Sequence, residues 1–102
     1  MDLGEQINDL TKNFPKEEIY ILTSQIKRAA DSVVLNIAEG STGQSKAVFK
    51  VFLSYSLRSA IEVVSCLFIA KRRNYINDEQ FKALYNDYET LVKMLTALKN
   101  SF

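Results

Sequence analysis

Apolar residues recur at three- and four-residue intervals through the second quarter of the chain, which is the spacing of one face of an α-helix. The residues on this face are Ile19, Leu22, Ile26, Ala29, Val33 and Ile37. Pro15 suits the first turn of such a helix, and a left-handed glycine at position 40 suits its end. The pattern therefore predicts a helix from about Pro15 to Ala38 that buries one side.

A longer helix is predicted from about Ser45 to Arg73. One of its seams has the four-three spacing of a left-handed bundle and consists of Phe49, Leu53, Ser56, Ala60, Val63, Leu67 and Ala70. The small residues Ser56 and Ala60 lie at the middle of this seam, where they would allow a neighbouring helix to come close. We therefore expect this seam to be the main contact of the helix with the rest of the bundle.

The same helix carries apolar residues well outside that seam, including Cys66. An apolar arc this wide needs cover from two sides. The second cover is either another subunit or a more central position of the helix within one subunit. If it is another subunit, the interface residues are Phe52, Tyr55, Leu57, Ile61, Val64 and Phe68.

The last helix is preceded by a start signal, in which Asn77 can cap the first turn and Gln80 can return a hydrogen bond. Its apolar stripe is narrower than that of the longer helix and consists of Phe81, Leu84, Tyr88, Leu91, Leu95 and Leu98. One buried face is therefore sufficient for this helix.

Residues 2–12 predict a short first helix, because they place apolar residues at helical spacing, namely Leu3, Ile7 and Leu10. No segment shows the period-two alternation of a strand. Short connections favour antiparallel neighbours. We therefore expect an all-α, antiparallel, up-and-down four-helix bundle with a short first helix, in which residues 1–102 form a single domain.

The composition is typical of a soluble globular protein, with 47% hydrophobic and 25% charged residues. No apolar run approaches the roughly 20 residues of a membrane-spanning helix, and the first residues lack the order of a secretion signal. We therefore expect no membrane association and a cytoplasmic location. The one cysteine, Cys66, cannot form an internal disulfide, and we interpret it as a small buried hydrophobic residue.

Thirteen Lys and Arg against twelve Asp and Glu leave a net charge of +1, so any nucleic-acid binding must depend on local basic patches. The candidate phosphate-binding residues are Lys27, Arg28, Lys46, Lys50, Arg58, Lys71, Arg72 and Arg73. On the third helix, the side chains of Lys46, Lys50, Arg58 and Arg72 lie within about a third of a turn of one another. The competing interpretation is that all of these are ordinary solvated charges, with residues 71–73 favoured near a helix C-terminus by the helix dipole.

The sequence offers no arrangement of residues for catalysis or metal binding. It contains no histidine, which removes the commonest general base and the commonest metal ligand, and it shows no metal-ligand spacing. Glu17 and Glu18 are predicted to be helix-start charges rather than catalytic acids. We expect no enzymatic activity, no metal and no cofactor.

Several segments spread over the predicted long helices resemble one protein family. They are residues 14–18, 22–30 and 36–40, Ser59 with Glu62, and Ala70 with Tyr75 and Ile76. In these segments, and over nearly its whole length, the sequence resembles the small proteins encoded within intervening sequences of bacterial 23S ribosomal RNA genes, also called S23 ribosomal proteins.

The resemblance implies a four-helix bundle that assembles as a homopentamer and has no known enzymatic activity. It also implies similarity to the accessory protein of diversity-generating retroelements, which binds nucleic acid and assists a reverse transcriptase. Two residues depart from the family pattern, which usually has proline near Val34 and glycine at Arg58. The family pattern joins Arg28, Asn36 and Glu39 in one cluster, in which Arg28 and Glu39 could form an internal pair.

Two hypotheses for function follow from the residues and the resemblance together. The first is a homo-oligomer that binds nucleic acid, in which symmetry multiplies a modest basic patch on each subunit. The second is a structural or adaptor oligomer that binds a protein partner, which the near-neutral net charge favours. The salt dependence of nucleic-acid binding discriminates between them.

Overall fold

The computed structural model describes residues 3–43 and 45–102, and of these the side chains of all but residues 19 and 20. The α-helices of this part of the chain are α1 (Leu3–Thr11), α2 (Ser24–Gly40), α3 (Lys46–Arg72) and α4 (Asp78–Asn100). Short connections reverse the chain after α2 and after α3, and α3 packs along both α2 and α4, while α1 packs on α2. These contacts confirm the predicted all-α four-helix bundle with a short first helix.

The segment directly before α2 is helical, but it is not the start of one continuous α-helix as predicted. Lys16–Glu18 forms a turn of 3-10 helix, and Ile19–Thr23 forms a π-helical turn before α2 begins. A π turn contains one more residue than an α turn, so it changes the direction in which the preceding side chains point. The hydroxyl of Thr23 is buried there and has no hydrogen-bond partner among the described side chains and backbone.

The predicted seam of α3 is confirmed as the centre of the bundle. Its fully buried members are Leu53, Ser56, Ala60, Val63, Leu67 and Ala70, whereas Phe49, at the start of α3, is half-buried. The Ser56 hydroxyl donates a 2.7 Å hydrogen bond to the backbone carbonyl of Val33 on α2. The small residues at the middle of the seam therefore do allow the neighbouring helix to approach closely.

Gly40 does not take the left-handed conformation predicted for the residue after α2. It is the last residue of α2 itself, and the glycine with positive φ is Gly43, at +86°. A Cβ atom on Gly40 would lie 2.7 Å from Cβ of Phe52 and 2.8 Å from Cδ1 of Phe49. A glycine is needed at position 40 because α2 and α3 meet there without room for a side chain.

The predicted helix starts are confirmed. The Ser45 side chain accepts a 3.2 Å hydrogen bond from the backbone amide of Val48 at the start of α3. At the start of α4, the Asn77 side chain accepts from the Gln80 amide at 2.8 Å, and the Gln80 side chain accepts from the Asn77 amide at 2.9 Å. Both helices therefore begin with satisfied backbone donors.

By length and composition, α3 passes the test of a membrane-spanning helix, with a mean hydropathy of 1.5 over an 18-residue window. The sequence analysis predicts no membrane-spanning helix. Length and composition alone do not distinguish a spanning helix from the central helix of a bundle. Only 33% of the window is buried within the described fold. Several large apolar side chains of α3 therefore stay about half exposed on the described fold, among them Val51, Tyr55, Ile61 and Phe68.

Candidate functional site

Three of the six predicted interface residues are exposed on α3. Tyr55 is 45% exposed, Ile61 56% and Phe68 50%. Phe68 also packs edge-on against Phe81 of α4, with 4.9 Å between ring centroids, so only its outer half faces solvent. Large apolar side chains left this exposed on one helix are typical of an interaction surface.

The other three predicted interface residues, Phe52, Leu57 and Val64, are half-buried. The Phe52 ring meets the Tyr55 ring edge to face at 5.9 Å, and Val64 packs against the buried core. These three residues are largely covered by the fold itself. The surface available to a partner is therefore centred on Tyr55 and Ile61.

Two of the eight candidate phosphate-binding residues already have acidic partners in the fold. The Lys71 ammonium lies 3.4 Å from the Asp78 carboxylate and 4.6 Å from the centroid of the Phe81 ring. The Arg73 guanidinium donates a 2.6 Å hydrogen bond to the Glu18 carboxylate. These contacts within the subunit account for the presence of Lys71 and Arg73 without any role in nucleic-acid binding.

The other six candidates form no ion pair with any described residue, and all of them are exposed: Lys27, Arg28, Lys46, Lys50, Arg58 and Arg72. Lys27 lines the cleft between α1 and α2, beside Glu5 and Asp9. Arg28 lies on the outer side of α2, and the remaining four lie on α3. The structure therefore places a group of uncompensated cations on α3, as a nucleic-acid surface requires.

These cations share one face of α3 with the exposed apolar residues. Lys50 and Phe68 are separated by about five helical turns, so they point in nearly the same direction. The Arg58 guanidinium lies 6.0 Å from the centroid of the Tyr55 ring, at the limit of a cation–π contact. We call the group Val51, Tyr55, Arg58, Ile61 and Phe68 the α3 outer face, and Lys50 lies on the same side of the helix, nearer its start.

The cluster that the family pattern suggested around Asn36 is only partly present. The Asn36 side-chain amide donates to the Ser32 carbonyl at 2.8 Å and to the Ser32 hydroxyl at 3.0 Å, and the Ser59 hydroxyl donates to Ser32 from α3. Arg28 and Glu39 are both exposed and form no ion pair with each other. About 16 Å of helix separates Arg28 from Glu39 along α2, so the suggested internal pair is wrong. Asn36 has a structural role, because it is hydrogen bonded to Ser32 at the α2–α3 contact.

Glu18 lies in the first turn of the 3-10 helix, as predicted, and it also has a tertiary role that the local sequence does not indicate. Its side chain is only 8% exposed and accepts the hydrogen bond from Arg73, which lies 55 residues further along the chain. Burial raises the pKa of the Tyr75 hydroxyl, and a hydrogen bond to Glu18 adds to the shift. Glu18 therefore ties the segment before α2 to the connection between α3 and α4.

We expect Arg73→Ala to lower the free energy of unfolding by about 1–2 kcal/mol, because it leaves the buried Glu18 carboxylate without its cation. The effect stays modest because half of the Arg73 side chain is in solvent, where the pair is screened. Urea unfolding measures the change. Arg72→Ala is the matched control and should stay within about 0.5 kcal/mol; equal destabilisation of the two variants would contradict the role of Glu18.

Cys66 is buried, as predicted, with only 1% of its surface exposed. Burial, with a smaller contribution from the nearby Glu62 carboxylate, raises the pKa of its thiol from 9.0 to about 11. The thiol is therefore protonated at neutral pH, and its role is that of a small core residue.

We expect the stability of the fold to decrease between about pH 9 and pH 11. In that range the unfolded thiol of Cys66 loses its proton while the folded thiol keeps it, so rising pH favours the unfolded state. The contribution of Cys66 is about 1–2 kcal/mol and is lost as pH passes the folded pKa. Urea unfolding at a series of pH values should show a flatter profile for Cys66→Ala than for the wild type, and Tyr75→Phe separates the contribution of the tyrosine, which shifts in the same direction.

Among the residues that the structure describes, no group of three His, Cys, Asp or Glu side chains is placed to hold a metal ion. The cleft between α1 and α2 is polar but carries mixed charges. The groove between α2 and α3 is lined in part by Ser and Asn side chains that are hydrogen bonded within the fold, and in part by Tyr55, Arg58, Ile61 and Glu62, so it opens onto the α3 outer face. The surface with the most distinctive chemistry is therefore the α3 outer face.

Comparison with known proteins identifies the family. The sequence profile of the 23S rRNA-intervening sequence proteins matches residues 1–97, and no protein with a curated description matches the chain. The fold is similar to the crystal structure of a protein of unknown function from the S23 ribosomal protein family of Bacteroides thetaiotaomicron, with 28% identity, a TM-score of 0.87, and coverage of 95% of this chain and 91% of that chain. Neither description names an enzymatic activity. The predicted resemblance is thereby confirmed, and the chain belongs to the family of 23S rRNA-intervening sequence proteins.

Proposed function

We propose that this protein is a non-enzymatic, cytoplasmic homo-oligomer of helical bundles that binds nucleic acid. The observation that carries the proposal is the charge of α3, which has a net charge of +4 from Lys46, Lys50, Arg58, Lys71, Arg72 and Glu62. This charge is concentrated on a helix that also exposes large apolar side chains. Family resemblance adds the expectation of five copies and of a role beside RNA-related machinery such as a reverse transcriptase.

The exposed apolar side chains of α3 and its unpaired cations are concentrated in different parts of the helix. Tyr55, Arg58 and Ile61 lie at its middle, where apolar burial against another copy is largest. Lys46 and Lys50 lie near its start and Arg72 at its end, away from that centre, and none of them has an acidic partner among the described residues. We assign the middle of α3 to contact between copies and the cations near its ends to phosphate groups.

Association strengthens the proposed binding. A subunit with net charge +1 and a few free cations holds a polyanion weakly, but a symmetric assembly presents the same cations several times to one strand. Each phosphate that is neutralised releases counterions, so the affinity of such an assembly falls steeply with salt concentration.

The test is a double charge reversal, Lys50→Glu with Arg72→Glu. We expect affinity for short fluorescently labelled single-stranded RNA and duplex DNA to fall at least about tenfold. The slope of log affinity against log salt should become shallower by about 1 for each phosphate that the variant no longer neutralises. Fluorescence anisotropy over a range of salt concentrations measures both quantities, and light scattering should show that the assembly is unchanged.

A matched control reverses two lysines that are already paired within the subunit. Lys12 pairs with Asp9 and Lys93 with Glu89, at 3.2 and 3.1 Å. Lys12→Glu with Lys93→Glu changes the net charge by the same amount, so an equal decrease in affinity would show a general charge effect and refute the assignment of Lys50 and Arg72.

The second candidate function is an adaptor oligomer that binds a protein partner, and the apolar character of the α3 outer face favours it. In that case the assembled wild-type protein shows no salt-dependent binding to either nucleic acid. This result would reject the nucleic-acid proposal and leave the homo-oligomer in place.

A further inference from the structure

The described fold also exposes apolar side chains outside α3, including Ile21, Val34 and Leu35 at α2 or just before it, and Met94 and Leu98 on α4. A groove between the beginning of α1 and the second half of α4 is lined by Leu3, Gln6, Asp87, Thr90, Leu91 and Met94. Met94 is 63% exposed, and Leu98, one turn further along α4, is 40% exposed. We call these residues the α1–α4 groove.

The described residues of α1 and α4 border the groove from opposite sides. The described part of α1 has 9 residues and α4 has 23, so they span about 14 Å and about 35 Å. Leu3 of α1 lies in the groove together with Leu91 and Met94 of α4. In the described fold, Met94 and Leu98 keep apolar surface exposed along α4.

The groove and the α3 outer face each carry one unpaired charge, and the two charges have opposite signs. Asp87 is the charged residue that lines the groove. Asp87 forms no ion pair with described residues, and neither does Arg58 on the α3 outer face. Arg58 and Asp87 are therefore complementary in charge.

We propose that the α3 outer face of one copy docks into the α1–α4 groove of the next copy, with Arg58 of one facing Asp87 of the other. This contact rests on the proposed homo-oligomer and specifies its geometry. Because two different surfaces meet, the contact is heterologous, and repeating it head to tail gives a ring when the rotation between copies closes. The methionine in the groove suits this role because its flexible side chain adapts to the helix that enters.

Mixing two variants tests the arrangement. Ile61→Asp disables the α3 outer face and Met94→Asp disables the groove, and both residues are exposed, so circular dichroism should show folded chains. Each variant alone should have the mass of one chain by light scattering. The mixture should form a one-to-one complex with twice that mass and nothing larger, because only one intact face and one intact groove can meet.

The outcomes separate this inference from the proposed function. A wild-type protein that is itself a single chain refutes the homo-oligomer. A wild-type assembly with a mixture that stays at the mass of one chain, or a Met94→Asp variant that assembles like the wild type, refutes docking into the groove.

A charge exchange gives an independent test that needs no apolar substitution. Arg58→Glu and Asp87→Arg should each lower the assembled fraction at a fixed protein concentration, and the two together on one chain should restore it. Effects that simply add in the double variant would refute the pairing of Arg58 with Asp87.

Discussion

The Ile61→Asp variant will have the mass of a single chain in solution, 11.6 kDa, at protein concentrations at which the wild type is assembled. Ile61 is 56% exposed in the isolated fold and lies at the middle of the α3 outer face. Because part of the side chain is already covered, burying the rest of it contributes about 1–1.5 kcal/mol to a contact. A carboxylate in its place loses this contribution and must also be stripped of water without a partner. The expected effect is dissociation of the assembly while each chain stays folded.

A matched substitution shows whether position matters. Leu35 is 64% exposed on α2, away from α3, so Leu35→Asp makes the same kind of change on a different surface. We expect Leu35→Asp to assemble like the wild type. Dissociation of both variants, or of neither, would contradict the assignment of the interface to the α3 outer face.

The Gly40→Ala variant will be less stable than the wild type by about 2–3 kcal/mol. Alanine is favoured over glycine within a helix by about 1 kcal/mol, so helix propensity alone predicts stabilisation. The new methyl group, however, would lie 2.7 Å from Cβ of Phe52, which is fixed to the backbone of α3. Because this atom cannot rotate away, the ends of α2 and α3 must separate, and steric overlap outweighs propensity.

Urea unfolding at equal protein concentration measures the effect, since association also contributes to stability. Gly43 supplies the control: it has φ of +86°, and a Cβ atom on it would meet no other atom within 4 Å. Gly43→Asn should cost less than about 1 kcal/mol because asparagine tolerates this conformation. A Gly40→Ala variant as stable as the wild type would show that the helices have room at this point.

Local patterns along the sequence predict most of the helical architecture. The seam of α3 follows from helical spacing alone, and the starts of α3 and α4 follow from Ser45 and Asn77, each of which accepts from an amide three residues away. Interactions of this kind depend only on residues close in sequence. They can therefore be predicted without knowledge of the tertiary fold.

Features that depend on distant residues are not predictable from local pattern. In the sequence, Glu18 resembles any carboxylate in a first helical turn. Its partner Arg73, however, follows the end of α3, 55 residues further along the chain. Gly40 looks like a helix terminator, but the reason for glycine is the approach of Phe49 and Phe52. The π turn at Ile19–Thr23 has no signal in the composition of that segment.

The sequence predicts only half of the candidate site. From the sequence, the cations of α3 and its apolar residues are assigned to different functions. The spacing of Lys50 and Phe68 nevertheless implies that their side chains point in the same direction. The sequence could therefore have revealed this overlap. The groove beside α4 cannot be recognised in the same way, because it depends on how Leu3 and Gln6 of α1 pack beside α4.

The mass of the wild-type protein in solution tests the central claim most directly, which is that α3 carries apolar surface that only further copies of the chain can cover. Light scattering coupled to size-exclusion chromatography, run over a range of protein concentrations, gives this mass. We predict a discrete multiple of 11.6 kDa that persists on dilution. A mass of 11.6 kDa at every concentration would contradict the claim.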